Sequence, residues 1–167
     1  LLKGVDSVLF VLDAVDGVRP LSKKFWSMVR AENLPAMIII NKLDRDRADF
    51  HMAFDGLAAL GVKPVALQVP IRQGEAFVGV VDVLTGKARM FTENGGSSEA
   101  EIPADLTDDV SLLRDVTVEN IAESDEVLME KYLEEGSLSL EDLQFGLRKG
   151  VLSGELTPVM VCSALEN

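Results

Sequence analysis

The sequence has one cysteine, no long hydrophobic run and few basic residues, and each shortage excludes a class of protein. Cys162 is the single cysteine, so the chain cannot form an internal disulfide, and this usage fits a reducing, cytoplasmic environment. The apolar tracts Val8–Leu12 and Ala36–Ile40 are as long as strands, whereas a membrane-spanning helix needs about 18 apolar residues or more. We therefore expect a cytoplasmic protein without a membrane span.

The acidic excess argues against direct binding of nucleic acid. Asp and Glu number 28 against 16 Lys and Arg, which gives a net charge of -12 and a pI of about 4.5. A DNA-binding surface needs a basic footprint to neutralise phosphates. The charge balance leaves room instead for a basic protein partner.

The length of 167 residues and the hydrophobic content of 47% suit one domain, or one domain that carries a sizeable insertion. The sequence begins Leu1-Leu2-Lys3, without an initiator Met or a signal peptide, and stops at Asn167 shortly after an apolar run. We therefore expect a fragment of a longer protein.

The first part of the chain predicts alternating strands and helices. A buried parallel strand is indicated by the apolar run that ends at Asp13, and a helix is predicted from Pro20 to about Ala31. Ala36–Ile40 predicts a second strand, and a second helix is predicted from about Asp46 to Leu60, closed by Gly61. This alternation is typical of an α/β fold with a parallel sheet.

The middle of the chain has a different character and predicts an α+β insertion. The expected strands form a meander, with a flexible loop tip at residues 94–98, and they are Pro64–Ile71, Phe77–Leu84 and Lys87–Thr92. The expected helices are Asp108–Ala122, Glu126–Leu133, which Gly136 stops, and Leu140–Lys149, which Gly150 ends. Ser139 with Asp142 is close to a capping box at the start of the third helix. A last buried strand begins at Pro158. We therefore divide the chain into residues 1–63, an insertion at 64–155, and a return at 156–167.

Two short polar motifs follow predicted strands directly. Asn41-Lys42-Leu43-Asp44 comes after Ile38-Ile39-Ile40, and Ser163-Ala164 comes after the final strand. In open α/β sheets, ligands bind at the carboxyl ends of the strands. The four-residue motif alone also fits a solvated turn, but its combination with a second strand-end motif is fairly specific for a ligand site.

The chemistry of the two motifs suits a guanine ring. Guanine offers N1–H and the exocyclic N2 amine as adjacent donors, and a fixed carboxylate, here Asp44, can accept from both, whereas adenine would leave it unpaired. The aliphatic stem of Lys42 would lie on the base plane. Asn41 would reach N7 or tie the loop to a neighbouring segment. Ser163-Ala164 would supply a backbone N–H for O6, and Leu165 would cover the face opposite Lys42.

These motifs and the segments between them resemble the G domain of a bacterial elongation factor G or a close paralogue. Asn41-Lys42-Leu43-Asp44-Arg45 matches the family's fourth guanine-nucleotide motif, and Ser163-Ala164-Leu165 matches the fifth. Asp13–Val18 resembles the strand and turn after the second switch. Segments similar to the family's insertion, the G′ subdomain, are Leu67–Ile71, Phe77–Asp82, Met129–Leu133 and Leu147–Gly150.

The resemblance implies a partial P-loop-type G domain that binds GTP or GDP, with Mg²⁺ in the full-length parent, and that acts on the ribosome in translation elongation and translocation. Elongation factor Tu lacks such an insertion and is disfavoured. The pattern Phe77-Val78-Gly79-Val80 is also similar to GTPases that recycle ribosomes or release factors and to tetracycline-resistance proteins. A non-catalytic module that docks on another protein is a further alternative, and an α/β enzyme of unrelated chemistry is disfavoured because no nucleophile–base pair appears.

The chain departs from the family in what it lacks. No Gly-x-x-x-x-Gly-Lys-Ser/Thr motif is present, and Asp13–Gly17 does not fit the Asp-x-x-Gly of the second switch. Phosphoryl transfer depends on these parts, so we expect this chain alone to be inactive in GTP hydrolysis. Glu166 also stands in a region where the family often has a Lys.

The remaining features have plainer interpretations. We expect His51 to be an ordinary surface residue, Cys162 a buried inert thiol, Trp26 part of a helix core, and Asp13 and Asp82 turn-forming residues. The helices of the insertion are dense in acids, which fits a solvated face. The resemblance implies instead a docking face for the ribosomal stalk proteins, near Val110–Glu123.

Overall fold

The computed structural model describes residues 2–92 and 94–165 and consists of two four-stranded sheets with helices. The strands are β1 Val8–Asp13, β2 Ala36–Asn41, β3 Lys63–Ala66, β4 Gln68–Gln73, β5 Ala76–Asp82, β6 Lys87–Phe91, β7 Ser97–Ala100 and β8 Leu156–Val161. The α-helices are α1 Pro20–Ala31, α2 Phe50–Asp55, α3 Thr107–Glu123, α4 Glu126–Glu135 and α5 Leu140–Leu152. Short 3₁₀ turns lie at Leu2–Gly4, Gly56–Leu60 and Ala104–Leu106.

The first sheet has the strand order β1-β2-β8-β3, and all of its pairs are parallel. Ile38 and Ile40 of β2 are completely buried, because this strand has a neighbour on both sides and helices cover its face. On the helical side, Trp26 of α1 is buried against Phe10 of β1 in an edge-to-face contact. The predicted α/β class with a parallel sheet and an α+β insertion is confirmed.

The predicted strand Pro64–Ile71 is two strands in two different sheets. Lys63–Ala66 pairs with β8 in the parallel sheet, whereas Gln68–Gln73 is an edge strand of the antiparallel sheet. Leu67 joins them, since its N–H donates to the Val159 carbonyl and its own carbonyl accepts from Val83. The change of sheet after Ala66 was not predicted, because a continuous β-branched run gives no signal of which neighbour each half pairs with.

The antiparallel sheet has the order β4-β5-β6-β7, and its last strand corrects the predicted loop tip at 94–98. Ser97–Ala100 pairs with β6, and a tight turn bonds the Thr92 N–H to the Gly96 carbonyl. This edge strand is polar and largely exposed, so it shows none of the apolar alternation by which strands are recognised in a sequence. A cross-strand ion pair between Lys87 and Glu99 ties it to the sheet.

The helices of the insertion pack against the parallel sheet, and side-chain caps start α4 and α5, of which only the cap at Ser139 was predicted. The Asp125 side chain caps α4, and Ser139 and Asp142 form a capping box at the start of α5. Bonds from Lys131 and Ser139 hold the pKa of Asp142 down at about 2. A second core of buried residues lies between α3, α4, α5 and the strands β3 and β8, and its members are Val65, Val118, Ile121, Leu128, Leu143 and Leu156.

The predicted helix from Asp46 to Leu60 is shorter than expected. The helix α2 begins at Phe50, where Asp49 accepts from the Met52 N–H as its cap, and a 3₁₀ turn completes the segment up to Gly61. Residues 45–48 instead form a turn, in which the Ala48 N–H donates to the Arg45 carbonyl. The next N–H, that of Asp49, donates to the distant Ala14 carbonyl. The segment after Asp44 is therefore a loop held by long-range contacts.

The helix α5 continues through Gly150, which was predicted to end it. Gly150 is buried, and a Cβ at this position would lie 2.5 and 2.6 Å from Cδ1 and Cγ of Leu156. The glycine is therefore needed for close approach of the helix to β8 and not for a turn. The turn follows at Gly154, which has a φ of 74°.

Within residues 2–92 and 94–165, no helix combines the length and the apolar character that a membrane crossing requires.

We predict that Gly150→Ala destabilises the chain. Ala is better than Gly in a helix interior by about 1 kcal/mol, but overpacking a filled core costs about 1–3 kcal/mol, and Leu156 is 1% exposed and cannot move aside. Urea unfolding should show a net loss of stability relative to Gly4→Ala, where an added Cβ has nothing within 4 Å. Equal or greater stability of Gly150→Ala would contradict this close packing.

Candidate guanine-recognition site

Three neighbouring parallel strands end at the same edge of the sheet. Asp13 ends β1, Asn41 ends β2, and Cys162-Ser163 follow β8, with Asp13 opposite Asn41 and Ile40 opposite Val161 in the registers. The Cys162 N–H donates to the Ile40 carbonyl at 3.0 Å, so the pairing of β2 and β8 extends to the start of both loops. The sheet therefore brings together the two motifs that the sequence placed 119 residues apart, from Asp44 to Ser163.

The side chain of Asn41 joins the two loops. Its Oδ1 accepts from the Lys42 N–H at 2.7 Å, from the Ala164 N–H at 3.0 Å and from the Cys162 thiol at 3.2 Å. These bonds join the Asn41 loop to the segment after β8, and the contact of Asn41 with guanine N7 stays a prediction. The Ala164 N–H, which the sequence analysis assigned to guanine O6, is bonded to Asn41 in this arrangement.

The carboxylate of Asp44 is oriented by the second motif. The Ser163 hydroxyl is buried and donates to Asp44 Oδ1 at 2.6 Å. An ionised carboxylate has about four lone-pair positions on its two oxygens, so this bond leaves capacity for further donors. Asp44 is half-buried, which suits an acceptor that is fixed by the protein but can be reached by a ligand.

Lys42 has an unusual backbone conformation and an unexpected partner. Its φ is 68°, in the left-handed region that is sparsely occupied by residues other than glycine. Its Nζ bonds Asp13 Oδ2, and Asp13 Oδ1 accepts from the N–H groups of Val15 and Asp16. Desolvation opposes ionisation of Asp13, but the bonds from Lys42 and Val15 outweigh it and lower the pKa of this carboxyl.

Two cavities flank the site. One of about 430 Å³ lies beside Lys42 and Asp13, and its other lining residues are Val15, Asp16, Arg45, Asp46 and Arg47. A second of about 460 Å³ lies between Ser163-Ala164 and the antiparallel sheet, where Phe77 and Phe91 line it. Both volumes are in the range of small-molecule sites, and the two loops separate them.

The other residues singled out from the sequence lie as follows. Leu165 is 83% exposed, so its cover of a base face stays a prediction. Cys162 is half-buried, and burial raises the pKa of its thiol. His51 lies on the surface, with Nε2 3.1 Å from an Asp109 oxygen. Glu166 lies outside the described residues.

Sequence reasoning missed two members of this site. Asp13 was expected to form a turn, and it does, but it also holds Lys42. Cys162 was expected to be a buried inert thiol; it is half-buried, and the bond from its thiol to Asn41 was not predicted. The contact of Asp13 with Lys42 could have been predicted only from the strand order. Asp13 is a carboxylate at the end of β1, and β1 lies beside β2, which Lys42 follows.

The carboxylates that the structure describes around the site form no metal-ligand cluster. Within the described residues, no group of three or more His, Cys, Asp and Glu side chains is arranged to hold one. The arrangement can therefore orient an acceptor carboxylate, a cation and backbone donors around a polar planar group.

Comparison with known proteins identifies the family. The family model described as Elongation factor Tu GTP binding domain matches residues 2–167. The crystal structure of ttk003000868 from Thermus thermophilus is similar, with 32% sequence identity and a TM-score of 0.89 over 99% of this chain. The match covers 25% of that protein, so the chain spans about a quarter of its length. Because the family model matches both strand-end loops and the insertion between them, the chain belongs to the family of elongation factor Tu-type GTP-binding domains.

Proposed function

We propose that this chain forms the guanine-recognising part of a longer translational GTPase that resembles elongation factor G. The observation that carries the proposal is the Asp44 carboxylate, held by Ser163 at the end of a neighbouring strand. The Asn41 side chain, which ties both loops, gives this carboxylate a fixed frame. Family membership supports GTP or GDP as the ligand.

Recognition of the base follows from the acceptor character of Asp44. A carboxylate fixed by one oxygen accepts the adjacent N1–H and N2 amine donors of guanine, whereas adenine offers no such pair of donors and would leave this acceptor capacity unused. The Lys42 stem covers one face of the base, with its ammonium held by Asp13. On the other side of the base we place the Ser163-Ala164 backbone and Leu165.

Hydrolysis needs parts that this chain does not supply. The sequence contains no Gly-x-x-x-x-Gly-Lys-Ser/Thr phosphate loop, the motif whose Ser/Thr hydroxyl would bind Mg²⁺. We therefore assign the phosphates and Mg²⁺ to segments of the longer protein outside this chain. The parent GTPase would act on the ribosome in elongation and translocation. The alternatives are recycling of ribosomes, recycling of release factors, and protection of the ribosome against tetracycline.

The insertion has a surface that suits a protein partner. On α3, Leu112 is 64% exposed and Val116 is 42% exposed, and they lie among the exposed acids Asp115, Glu119 and Glu123. An exposed apolar pair with an acidic rim fits a partner that has an apolar surface and a basic rim. We therefore propose that α3 docks on ribosomal stalk proteins.

The first prediction concerns base selectivity in the full-length protein. Asp44→Asn replaces one acceptor by a donor, so binding of GDP should weaken and binding of XDP, whose C2 carries an oxygen, should improve. Hydrogen bonds to charged groups are worth about 1.5–3 kcal/mol, which corresponds to roughly 10- to 100-fold in affinity for GDP. Competition titrations of fluorescent GDP measure both effects, with Asp105→Asn, an exposed carboxylate before α3, as the matched control. An unchanged preference for GDP would refute the role of Asp44.

The second prediction concerns this 167-residue chain by itself. We expect no GTP hydrolysis above the buffer background and only weak GDP binding, because the sequence contains no phosphate-loop motif. Phosphate release over hours, compared with buffer and with the full-length protein, is the measurement. Turnover above background by the chain alone would contradict the assignment.

The third prediction concerns the α3 surface. Titration of the chain with purified ribosomal stalk protein should shift NMR signals within residues 105–135, while signals of residues 20–31 in α1 serve as the internal control. The double variant Leu112→Ser, Val116→Ser should weaken the shifts. Absence of shifts in residues 105–135 would remove the docking proposal.

A further inference from the structure

We propose that Arg72, a residue of the inserted antiparallel sheet, is a positioning residue for the loop that carries Asp44. Through Arg72, the insertion fixes the conformation of residues 41–48 and thereby sets how strongly Asp44 selects guanine. The effect on selectivity rests on the function proposed for Asp44, whereas the effect on the loop stands on the contacts alone.

Arg72 bridges two parts of the fold through backbone carbonyls. Its guanidinium donates from Nη1 to the Ala48 carbonyl and from Nη2 to the Arg45 carbonyl at 3.1 Å. The same Nη2 donates to the Glu75 carbonyl at 2.9 Å, in the turn between β4 and β5. Two of the three acceptors therefore lie in the segment directly after Asp44, and the third lies in the insertion.

An irregularity in the sheet lies at the position of Arg72. Ile71 is opposite Gly79, but Arg72 is opposite Phe77, so β5 contains one extra residue at this point. Such bulges bend a strand and redirect the side chains beside them. The bulge coincides with the residue whose side chain leaves the sheet to reach the loop.

The chemistry of arginine suits this task. Its planar guanidinium has five donors in a fixed arrangement, which allows one side chain to satisfy several carbonyls at once. Arg72 is half-buried, and charge-assisted hydrogen bonds are roughly twice as strong as neutral ones. A lysine keeps the charge but lacks the planar arrangement.

The loop depends on such outside contacts. Residues 42–49 belong to no strand. Two turns supply the backbone hydrogen bonds among them, from the Arg45 N–H to the Lys42 carbonyl and from the Ala48 N–H to the Arg45 carbonyl. Lys42 occupies the left-handed region, a conformation that costs free energy and persists where the surroundings impose it. The Arg45 carbonyl accepts both from Ala48 and from Arg72, so loss of Arg72 loosens the turn next to Asp44.

The test uses the full-length protein with Arg72→Met, Arg72→Lys and a matched control, Arg89→Met. Arg89 is also an arginine of the antiparallel sheet, but it is exposed on β6. Without nucleotide, hydrogen exchange is measured at the amides of Leu43, Arg45 and Ala48. We expect about tenfold faster exchange in Arg72→Met, a smaller increase in Arg72→Lys and no change in Arg89→Met.

The second readout is the ratio of affinities for GDP and IDP, whose base lacks the N2 amine. If the loop of Arg72→Met has the binding conformation in about one molecule in ten, the apparent affinity for GDP falls about tenfold. The preference for GDP over IDP should narrow as well, because Asp44 no longer holds one position. A merely structural role would lower the fraction of protein that binds but leave this ratio unchanged.

Each outcome decides the proposal. Unchanged exchange in Arg72→Met overturns the positioning role. Faster exchange with an unchanged ratio, in a protein whose wild type prefers GDP, overturns the link to selectivity. If the wild type shows no preference for GDP, the function proposed for Asp44 fails, and the exchange rates alone decide whether Arg72 positions the loop.

Discussion

A single oxygen atom, Oδ1 of Asn41, accepts hydrogen bonds from both strand-end loops and is the contact around which the candidate site is arranged. It accepts from a backbone N–H of its own loop, from a backbone N–H of the other loop, and from the Cys162 thiol. The sheet allows this because β2 and β8 are parallel neighbours and end in register. The Asp44–Ser163 bond and the left-handed Lys42 both lie within two or three residues of this contact. The candidate site is thus a property of the sheet edge, and the insertion supports it from one side.

The electrostatics of the site differ from those of the whole chain. The net charge is -12, yet the cavity beside Lys42 is lined by three acids, Asp13, Asp16 and Asp46, and by three bases, Lys42, Arg45 and Arg47. Of the 28 acids, 11 lie on the helices α3, α4 and α5 of the insertion, against four bases on the same helices. Because exposed charges are screened beyond about 10 Å at moderate salt, an anionic ligand at the site meets a locally balanced surface.

Much of the fold could be predicted from local pattern, and the errors have one cause. Ile38–Ile40 before a polar turn, Gly61 and Gly136 as helix ends, and the capping box at Ser139 all act through residues within a few positions of one another. The separate strand β3, the polar strand β7 and the continuation of α5 through Gly150 depend on partners distant in the sequence. The same holds for the site. Asp44 and Ser163 belong to motifs that can be recognised in the sequence. The contact of Asp13 depends on the order of the strands, and the contacts of Arg72 lie at a bulge, and neither feature can be predicted from a local sequence pattern.

The position of β8 has a consequence for how the chain folds. This strand lies between β2 and β3 in the parallel sheet but follows them in the sequence only after the whole insertion. Residues 8–66 contain β1, β2 and β3, yet within the described residues β3 pairs in its own sheet only with β8, which is synthesised after the whole insertion. Non-local strand pairings of this kind slow folding, because the loop-closure entropy is lost before the contacts form. The strands β4 to β7 pair with their neighbours in the sequence and can form before β8 is made, so that β8 enters as the last strand and completes the edge that carries the candidate site.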